Sequence, residues 1–137
     1  MTNSKPPLLL FQELGAHITT LTPDSAAHWI APDFVLTEVE GHPYGGPCSG
    51  AVAFAERMAR IRRFEHACSF QMDCLVADQT ANVLFHGRLC VTTTDGVVHE
   101  LPLMERWTFD HDKLASLAMF WQEPAKAIAV LDTVEAA

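Results

Sequence analysis

The sequence predicts an α+β fold in which a curved, mostly antiparallel sheet covers one side of three N-terminal helices. Helical periodicity dominates the chain before residue 65, and after it apolar and polar side chains alternate with the two-residue period of a strand. Asp95 and Gly96 lie between two alternating runs and are typical of a hairpin turn. Helices followed by consecutive antiparallel strands indicate a layered α+β domain.

The first two helices follow from apolar spacing and from capping residues. Apolar side chains recur at helical spacing over residues 8–20, which predicts an amphipathic helix. Thr22 can cap a second helix because its hydroxyl accepts a backbone N–H, and Pro23 suits the first helical position. Pro32 has no backbone N–H and is expected to end this helix.

A strand, a loop and a third helix are expected next. Residues 33–40 alternate as a strand that includes Glu38 on a partly apolar face, and residues 41–50 are rich in glycine and proline, which indicates a loop. Ser49 or Gly50 opens the third helix. Its basic side chains are predicted to share a solvent-exposed face: Arg57, Arg60 and Arg63.

Four further strands are predicted from alternation and turn signals. Residues 66–76 alternate as a half-buried strand, and the hairpin joins a strand over 83–93 to one over 97–110. A last strand spans 114–122, and residues 124–137 are expected to form a C-terminal tail with some helical character. The chain of 137 residues is predicted to be a single domain, residues 1–137.

Composition disfavours several classes of function. The formal net charge is −8, whereas phosphate recognition needs clustered Lys and Arg, so we expect no nucleic-acid partner. No apolar run approaches the length of a membrane span, and the N-terminal residues show no secretory signal. Cys48, Cys68, Cys74 and Cys90 form no C-x-x-C pair, which predicts reduced thiols, a cytoplasmic protein and no metal site.

One carboxylate lies on an apolar strand face. In the segment LPLMERW, residues 101–107, Glu105 and Trp107 point to the same side as two leucines. A buried ionised carboxylate is costly, so Glu105 must be paired, neutral or open to a cavity. Two interpretations stay open: Glu105 is a functional acid, or it forms a structural ion pair with Arg62, Arg88 or a histidine.

Two stretches of the sequence carry a family resemblance. APDFVLTEVEGHPYGGPCSG, residues 31–50, and LPLMERWTFDHDKLASLAMFWQEP, residues 101–124, together with the order of elements, resemble the ketosteroid-isomerase-like, or SnoaL-like, branch of the nuclear transport factor 2 superfamily. The first stretch is similar to the family's acidic strand, loop and glycine, and the second to its last hairpin. The resemblance covers nearly the whole chain and implies a cone with an apolar pocket.

The resemblance implies a role for each of the two acids. Glu38 corresponds to the family's general-base aspartate. Glu105 corresponds to its protonated aspartic acid, which donates a hydrogen bond to a developing enolate. The family's tyrosine on the first helix corresponds to about Leu14, which has no donor, and the only tyrosine here is Tyr44 in the loop.

Further candidate residues follow from their chemistry. Four histidines are candidates for proton transfer because histidine titrates near neutral pH: His28, His66, His86 and His99. The candidates for substrate binding are His86 and the side chains able to line an apolar pocket: Trp29, Tyr44, Phe54, Met58, Phe85, Trp107, Met119 and Trp121.

Acids on apolar faces and the resemblance together predict a small-molecule acid/base enzyme. We expect it to move a proton next to the carbonyl of an apolar substrate, as a ketosteroid isomerase does, without metal or other cofactor. The alternatives are a polyketide cyclase-like or dehydratase activity in the same pocket, or a non-catalytic ligand-binding module. An apolar strand face predicts a homodimer through Val83, Phe85, Leu89 and Val91.

Overall fold

The computed structural model of the protein describes residues 2–38 and 46–136. Within these ranges the chain forms four α-helices: α1 (Pro7–Gly15), α2 (Pro23–Trp29), α3 (Ala51–Arg62) and α4 (Pro124–Ala136). It also forms six strands: β1 (Ile30–Thr37), β2 (Cys48–Ser49), β3 (Cys68–Ala77), β4 (Asn82–Thr92), β5 (Val98–Asp110) and β6 (Lys113–Trp121). Short 3₁₀ turns lie at Ile18–Thr20 and Glu65–Ala67.

All six strands belong to one sheet in the order β2-β1-β6-β5-β4-β3. Neighbouring strands are antiparallel except β1 and β6, which run parallel. The edge strands β2 and β3 do not pair with each other, so the sheet stays open. The predicted α+β class with a mostly antiparallel sheet is therefore confirmed.

The inner face of the sheet packs against the N-terminal helices and carries the main core. Phe34 of β1 and Phe54 of α3 have no exposed surface, and their ring centroids lie 4.9 Å apart. Leu14 of α1 and Phe109 of β5 are also buried in this cluster. Each fully buried side chain of this size contributes about 1.5–3 kcal/mol. These contacts therefore fix the helices over one face of the sheet.

The helix termini match the bounds predicted from the sequence only in part. Thr22 caps α2, since its side-chain oxygen accepts the backbone N–H of Ser25 at 3.1 Å, and Pro23 begins the helix as predicted. The predicted helix over residues 8–20 is interrupted, because α1 ends at Gly15 and a separate 3₁₀ turn follows. Pro32 does not end α2, since the helix stops earlier and Pro32 lies within β1.

The predicted half-buried strand over residues 66–76 is wrong in its burial and its faces. β3 is an edge strand that pairs only with β4, and nearly all its side chains are exposed. Its register shifts between Met72 and Cys74, where a bulge inserts Asp73. Phe70 pairs with an inward-facing position of β4 and Cys74 with an outward-facing one. From residue 74 onward the bulge therefore reverses the faces that strict alternation predicts, whereas the residues before it keep their predicted faces.

The strand face predicted to form a dimer interface lies inside the chain. Val83, Phe85 and Val91 of β4 are buried on the inner face, and Leu89 packs against a second apolar cluster. The outer face of the sheet instead exposes apolar side chains on the neighbouring strands β5 and β6. Met104 and Phe120 are paired across these strands and are both largely exposed.

Residues 124–136, predicted as a tail with helical character, form the packed helix α4. Ala127 and Leu131 are fully buried in a second core cluster with Phe64. Arg60 of α3 pairs with Glu135 at 2.5 Å and joins the two helices. Among the described residues, no helix is both long enough and apolar enough to cross a bilayer.

Replacing Gly87 by alanine should lower the free energy of unfolding by about 1–3 kcal/mol. An added Cβ would lie 2.4 Å from Cζ of Phe70 and 2.6 Å from the carbonyl oxygen of Gln71, so the edge strand would have to move. Urea denaturation measures the effect, with Gly15→Ala as the control because its Cβ meets no atom within 4 Å. Equal stability of the two variants would contradict the close packing of β3 against Gly87.

Candidate active site

Glu38 and Glu105 project onto the same inner face from the two strands that flank β6. Glu38 follows β1 directly, two residues beyond Leu36, which is paired with Leu117 of β6. Glu105 lies in β5 opposite Met119 of β6. Alternate residues of a strand share a face, so this register directs both carboxyl groups toward the helix side of the sheet.

Glu38 is a buried acid that two donors among the described residues contact. Its side chain is only 1% exposed, and its Oε2 lies 3.5 Å from Nη1 of Arg57 in α3. The indole Nε1–H of Trp121 donates to Oε1 at 3.2 Å. Burial raises the pKa of Glu38 above its ordinary value, while the Trp121 hydrogen bond and the positive charge of Arg57 oppose that rise.

Glu105 is a partly buried acid without an ion-pair partner among the described residues. Its Oε1 accepts a hydrogen bond from Nε1–H of Trp107 at 3.0 Å. Burial raises the pKa of Glu105 from its ordinary value of 4.5 to about 7; the Trp107 hydrogen bond lowers it, and the charge of Glu38 raises it further. Glu105 therefore exchanges a proton near neutral pH, the range that suits a general acid or base.

The two acids differ in what favours their charged form. Glu38 has a cation and an indole donor, whereas Glu105 has an indole donor and a negatively charged neighbour. Coulomb repulsion between two carboxylates penalises the doubly charged state. The arrangement therefore favours an ionised Glu38 beside a neutral Glu105, which gives one proton acceptor and one hydrogen-bond donor on the same face.

An aromatic wall continues from Glu105 across the inner face. Phe85 is the direct partner of Glu105 on β4, and Phe11 of α1 lies 5.8 Å from Phe85 and 4.6 Å from Trp107 between ring centroids. Phe70 of β3 meets Phe85 edge-on at 5.5 Å. Phe85 and Trp107 are buried in the main core, so this wall forms the apolar surroundings of Glu105.

The substrate-binding candidates fall into separate environments. Trp121 and Trp107 contact the two acids directly, and Met119 is paired with Glu105 across the strands. Phe54 is fully buried in the core, and Met58 packs against the same cluster. These core positions shape the inner face, and the structure leaves little of Phe54 for a ligand to contact.

Two other candidates lie away from the two acids, and a third is not described. Trp29 stacks on His17 at 5.0 Å and lines a separate cavity of about 290 Å³, whose described lining residues include neither acid. His86 points to the outer face, where its Nδ1 lies 3.8 Å from Asp73. Tyr44 falls outside the described residues.

The basic partners suggested for Glu105 are engaged elsewhere. Arg62 donates to the backbone carbonyls of Thr19 and Leu21, and Arg88 pairs with Asp73 and Glu100 on the outer face. The remaining candidate histidines are also away from the acids. His28 lines the cavity at Trp29, His66 lines a surface cavity with Arg63, and His99 lies near the hairpin between β4 and β5.

Arg57 is the site residue that the sequence prediction misses. The prediction of a shared solvent face with Arg60 and Arg63 is wrong for Arg57, whose side chain is only 9% exposed. Arg57 lies three residues after Phe54, so it flanks the apolar stripe of α3 rather than opposing it. The three-residue spacing from Phe54 could have indicated that Arg57 lies at the edge of the core. Its ion-pair partner could also have been inferred, because Glu38 lies two residues after the buried strand residue Leu36.

Comparisons with known proteins identify solved structures with a similar fold, but neither a family model nor a curated protein matches the sequence. No protein-family model matches the chain, and no curated protein matches it significantly. A structure of a nuclear transport factor 2-like protein from Burkholderia thailandensis E264 is 24% identical, with 90% of this chain and 97% of that chain covered and a TM-score of 0.67.

Two further solved structures have the same fold. TerC co-crystallised with polyporic acid is 17% identical, with 96% of this chain and 99% of that chain covered and a TM-score of 0.69. A protein assigned as a SnoaL-like polyketide cyclase from Jannaschia sp. CCS1 is 14% identical, with 96% and 92% covered and a TM-score of 0.64. The chain therefore has the nuclear transport factor 2-like fold, as the resemblance in its sequence implies.

Replacing Glu105 by glutamine should stabilise the protein more at pH 8 than at pH 5. A pKa raised from 4.5 to about 7 on folding means that Glu105 favours the folded state while protonated, and this contribution is lost as the pH rises through about 7. Glutamine keeps the neutral form, so the gain relative to wild type should grow by up to about 3 kcal/mol between these pH values.

Urea unfolding at both pH values measures this gain. Glu56→Gln on the exposed side of α3 is the matched control, because Glu56 is exposed and the same chemical change there should give equal values at both pH values. A gain for Glu105→Gln that does not depend on pH would show that Glu105 ionises as an ordinary carboxylate.

Proposed function

We propose that the protein is a small-molecule acid/base enzyme of ketosteroid-isomerase-like type. It moves a proton at a carbon next to the carbonyl group of an apolar substrate. The observation that carries the proposal is the pair of acids on one inner face, of which Glu38 has a cationic partner and Glu105 has a pKa near neutrality. One group can accept a proton while the other donates a hydrogen bond.

Glu38 is the general base in this reaction. Its carboxylate removes a proton from the carbon next to the carbonyl, and the electrons of the broken C–H bond move toward the carbonyl oxygen to form an enolate. Neutral Glu105 donates a hydrogen bond to that oxygen. Glu38 then returns the proton to a carbon further along the conjugated system, so the substrate is isomerised without net loss or gain of atoms.

Glu105 has one oxygen available for this role. Its Oε1 already accepts the indole N–H of Trp107, which leaves Oε2 to carry the proton and donate. Leu14, at the position of the family's tyrosine, is buried in the core and carries no donor. Enolate stabilisation therefore depends on Glu105 more than it does in the enzymes that the sequence resembles.

The aromatic wall supports an apolar, flat substrate. Phe11, Phe85 and Trp107 form contacts of 4.6–6.4 Å between ring centroids beside Glu105. A planar ring system can bury apolar area against such side chains while its carbonyl group reaches the acids. The same apolar surroundings desolvate the carboxyl groups and so contribute to their raised pKa values.

A polyketide cyclase-like or dehydratase reaction is the second candidate. It is favoured by the similarity in fold to a SnoaL-like polyketide cyclase and to TerC, which was crystallised with polyporic acid. Both reactions also begin with proton removal next to a carbonyl and could use the same two acids. A module that binds such a compound without converting it is the remaining alternative.

A homodimer and a cytoplasmic location complete the proposal. The outer face carries a row of side chains that crosses four strands: Cys74, His86, Met104 and Phe120. Met104 and Phe120 are 47% and 55% exposed and supply apolar area for a second copy of the chain. The four free cysteines support a reducing compartment.

Replacing Glu38 by glutamine should reduce turnover of a β,γ-unsaturated ketosteroid by at least about 100-fold. The variant has no carboxylate to remove the proton, whereas Glu105→Gln keeps an N–H donor and should lose less. The increase in absorbance as the product becomes conjugated measures the rate, with Glu56→Gln as a control for the same chemical change on the surface.

Turnover by wild type that survives in Glu38→Gln would remove Glu38 from the mechanism. Absence of turnover in wild type would remove the support for ketosteroid isomerisation. That result would favour the cyclase or dehydratase reaction, or the binding module, as the function.

Replacing Phe120 by glutamate should convert a dimer into a monomer. The charge would have to be buried between two outer faces, which is unfavourable without a partner. Sedimentation at micromolar concentration should give about twice the chain mass of 15.1 kDa for wild type and the chain mass for Phe120→Glu. Val98→Glu is the control, since Val98 is also largely exposed but lies at the hairpin end of β5. A monomeric wild type would contradict the interface.

A further inference from the structure

Arg57 contacts both described ends of the segment that separates β1 from β2. Its Nη1 lies 3.5 Å from the carboxylate of Glu38, the last described residue before residues 39–45. The same nitrogen donates to the backbone carbonyl of Gly46, the first described residue after them. One guanidinium group therefore links the proposed base to the far end of this segment.

A buried guanidinium is unfavourable unless it is paired. The free-energy cost of moving an unpaired charge into a protein interior is far larger than the stabilisation from one hydrogen bond. Arg57 is 9% exposed, and the carboxylate of Glu38 is the opposite charge that compensates its guanidinium group. Arg57 lies on the rigid helix α3, whose neighbouring Phe54 is fixed in the core. The position of the cation is therefore set by the fold.

Four described elements bring charged or titratable groups, or a hydrogen-bond donor, to Glu38. They contribute Arg57 from α3, Cys48 from β2, Glu105 from β5 and Trp121 from β6. Burial raises the pKa of the Cys48 thiol, so this group is neutral near pH 7 and adds no charge. Arg57 is the only cation among these groups. It acts on one acid of the pair through a direct contact.

We propose that Arg57 is a positioning residue that keeps the Glu38 carboxylate charged and oriented, and so decides which of the two acids carries the proton. This role rests on the proposed function, in which Glu38 is the base and Glu105 the hydrogen-bond donor. Without the cation, desolvation and repulsion act on both acids, and both favour their neutral forms. A neutral Glu38 cannot accept a proton from a substrate.

The two indole groups report on the two acids without a substrate. The indole N–H of Trp121 donates to Glu38, and that of Trp107 donates to Glu105. The chain has three tryptophans, so an ¹H–¹⁵N spectrum contains three indole signals, which single Trp→Phe variants assign. A pH titration of the two signals follows the ionisation of each acid separately.

Replacing Arg57 by glutamine should raise the titration midpoint of the Trp121 signal by about one pH unit. The Trp107 midpoint should move down, because a neutral Glu38 no longer raises the pKa of Glu105. Arg57→Lys should restore most of the wild-type midpoint, since lysine keeps the charge. Arg63→Met is the control: it removes an exposed cation at the C-cap of α3, six residues further along the chain, and should leave both midpoints unchanged.

Both Arg57→Gln and Arg57→Lys remove the guanidinium group and only lysine keeps a cation, so the comparison of the two variants separates the effect of charge from that of the tether. An unchanged Trp121 midpoint in folded Arg57→Gln would overturn the proposal, as would an equal rise in Arg57→Lys. If Arg57→Gln does not give a dispersed spectrum, the comparison of Arg57→Lys with wild type decides: a midpoint close to that of wild type supports the role of charge, and a large rise overturns it.

The titration is independent of turnover. If no substrate is converted, the proposed reaction fails while the Trp121 midpoints still decide whether Arg57 keeps Glu38 charged. If the ketosteroid is converted, the acid limb of kcat/KM should move up in Arg57→Gln by the same pH interval as the Trp121 midpoint, with Arg63→Met unchanged. A uniform fall in kcat/KM at all pH values would identify a structural role and overturn the proposal.

Discussion

The register of β5 between β4 and β6 is the constraint on which the rest of the site depends. It sets Glu105 opposite Phe85 on one side and Met119 on the other, on the face that the helices cover. Successive strand residues point to opposite faces, so a slip by one residue would carry Glu105 to the outer face and Met104 inward. Leu103 and Trp107, both buried, hold the register because a slip would expose them.

The two acids share a similar local arrangement with a different electrostatic outcome. Each accepts an indole N–H on its Oε1, from Trp121 for Glu38 and from Trp107 for Glu105. These hydrogen bonds lower the pKa of both acids and so favour the charged form of each. Within the described part of the chain, the acids differ in that Arg57 contacts Glu38 and no cation contacts Glu105. The chemistry of the site therefore depends on the rotation of α3 over the sheet.

Much of the fold and both acids could be predicted from the sequence, because periodicity fixes which strand residues share a face. Glu38 and Glu105 lie on inner faces for this reason. The bulge at Asp73 could not be predicted, since no glycine or proline marks it, and it reversed the expected faces of β3 beyond that residue. Arg57 was missed because helical spacing places it at the edge of the apolar stripe of α3. Whether a side chain at that edge is buried or exposed depends on how α3 packs on the sheet.

The parallel pairing of β1 with β6 bears on how the protein reaches its native state. Ile30 is aligned with Leu114, so this pair joins regions that are far apart in the chain. Contacts between distant segments carry a large entropic cost of chain closure and form slowly. The hairpins of β3 to β6 are local by comparison. Glu38 and Trp121 are 83 residues apart in the chain, so assembly of the two acids on one face requires this long-range pairing and cannot be achieved by the local hairpins alone.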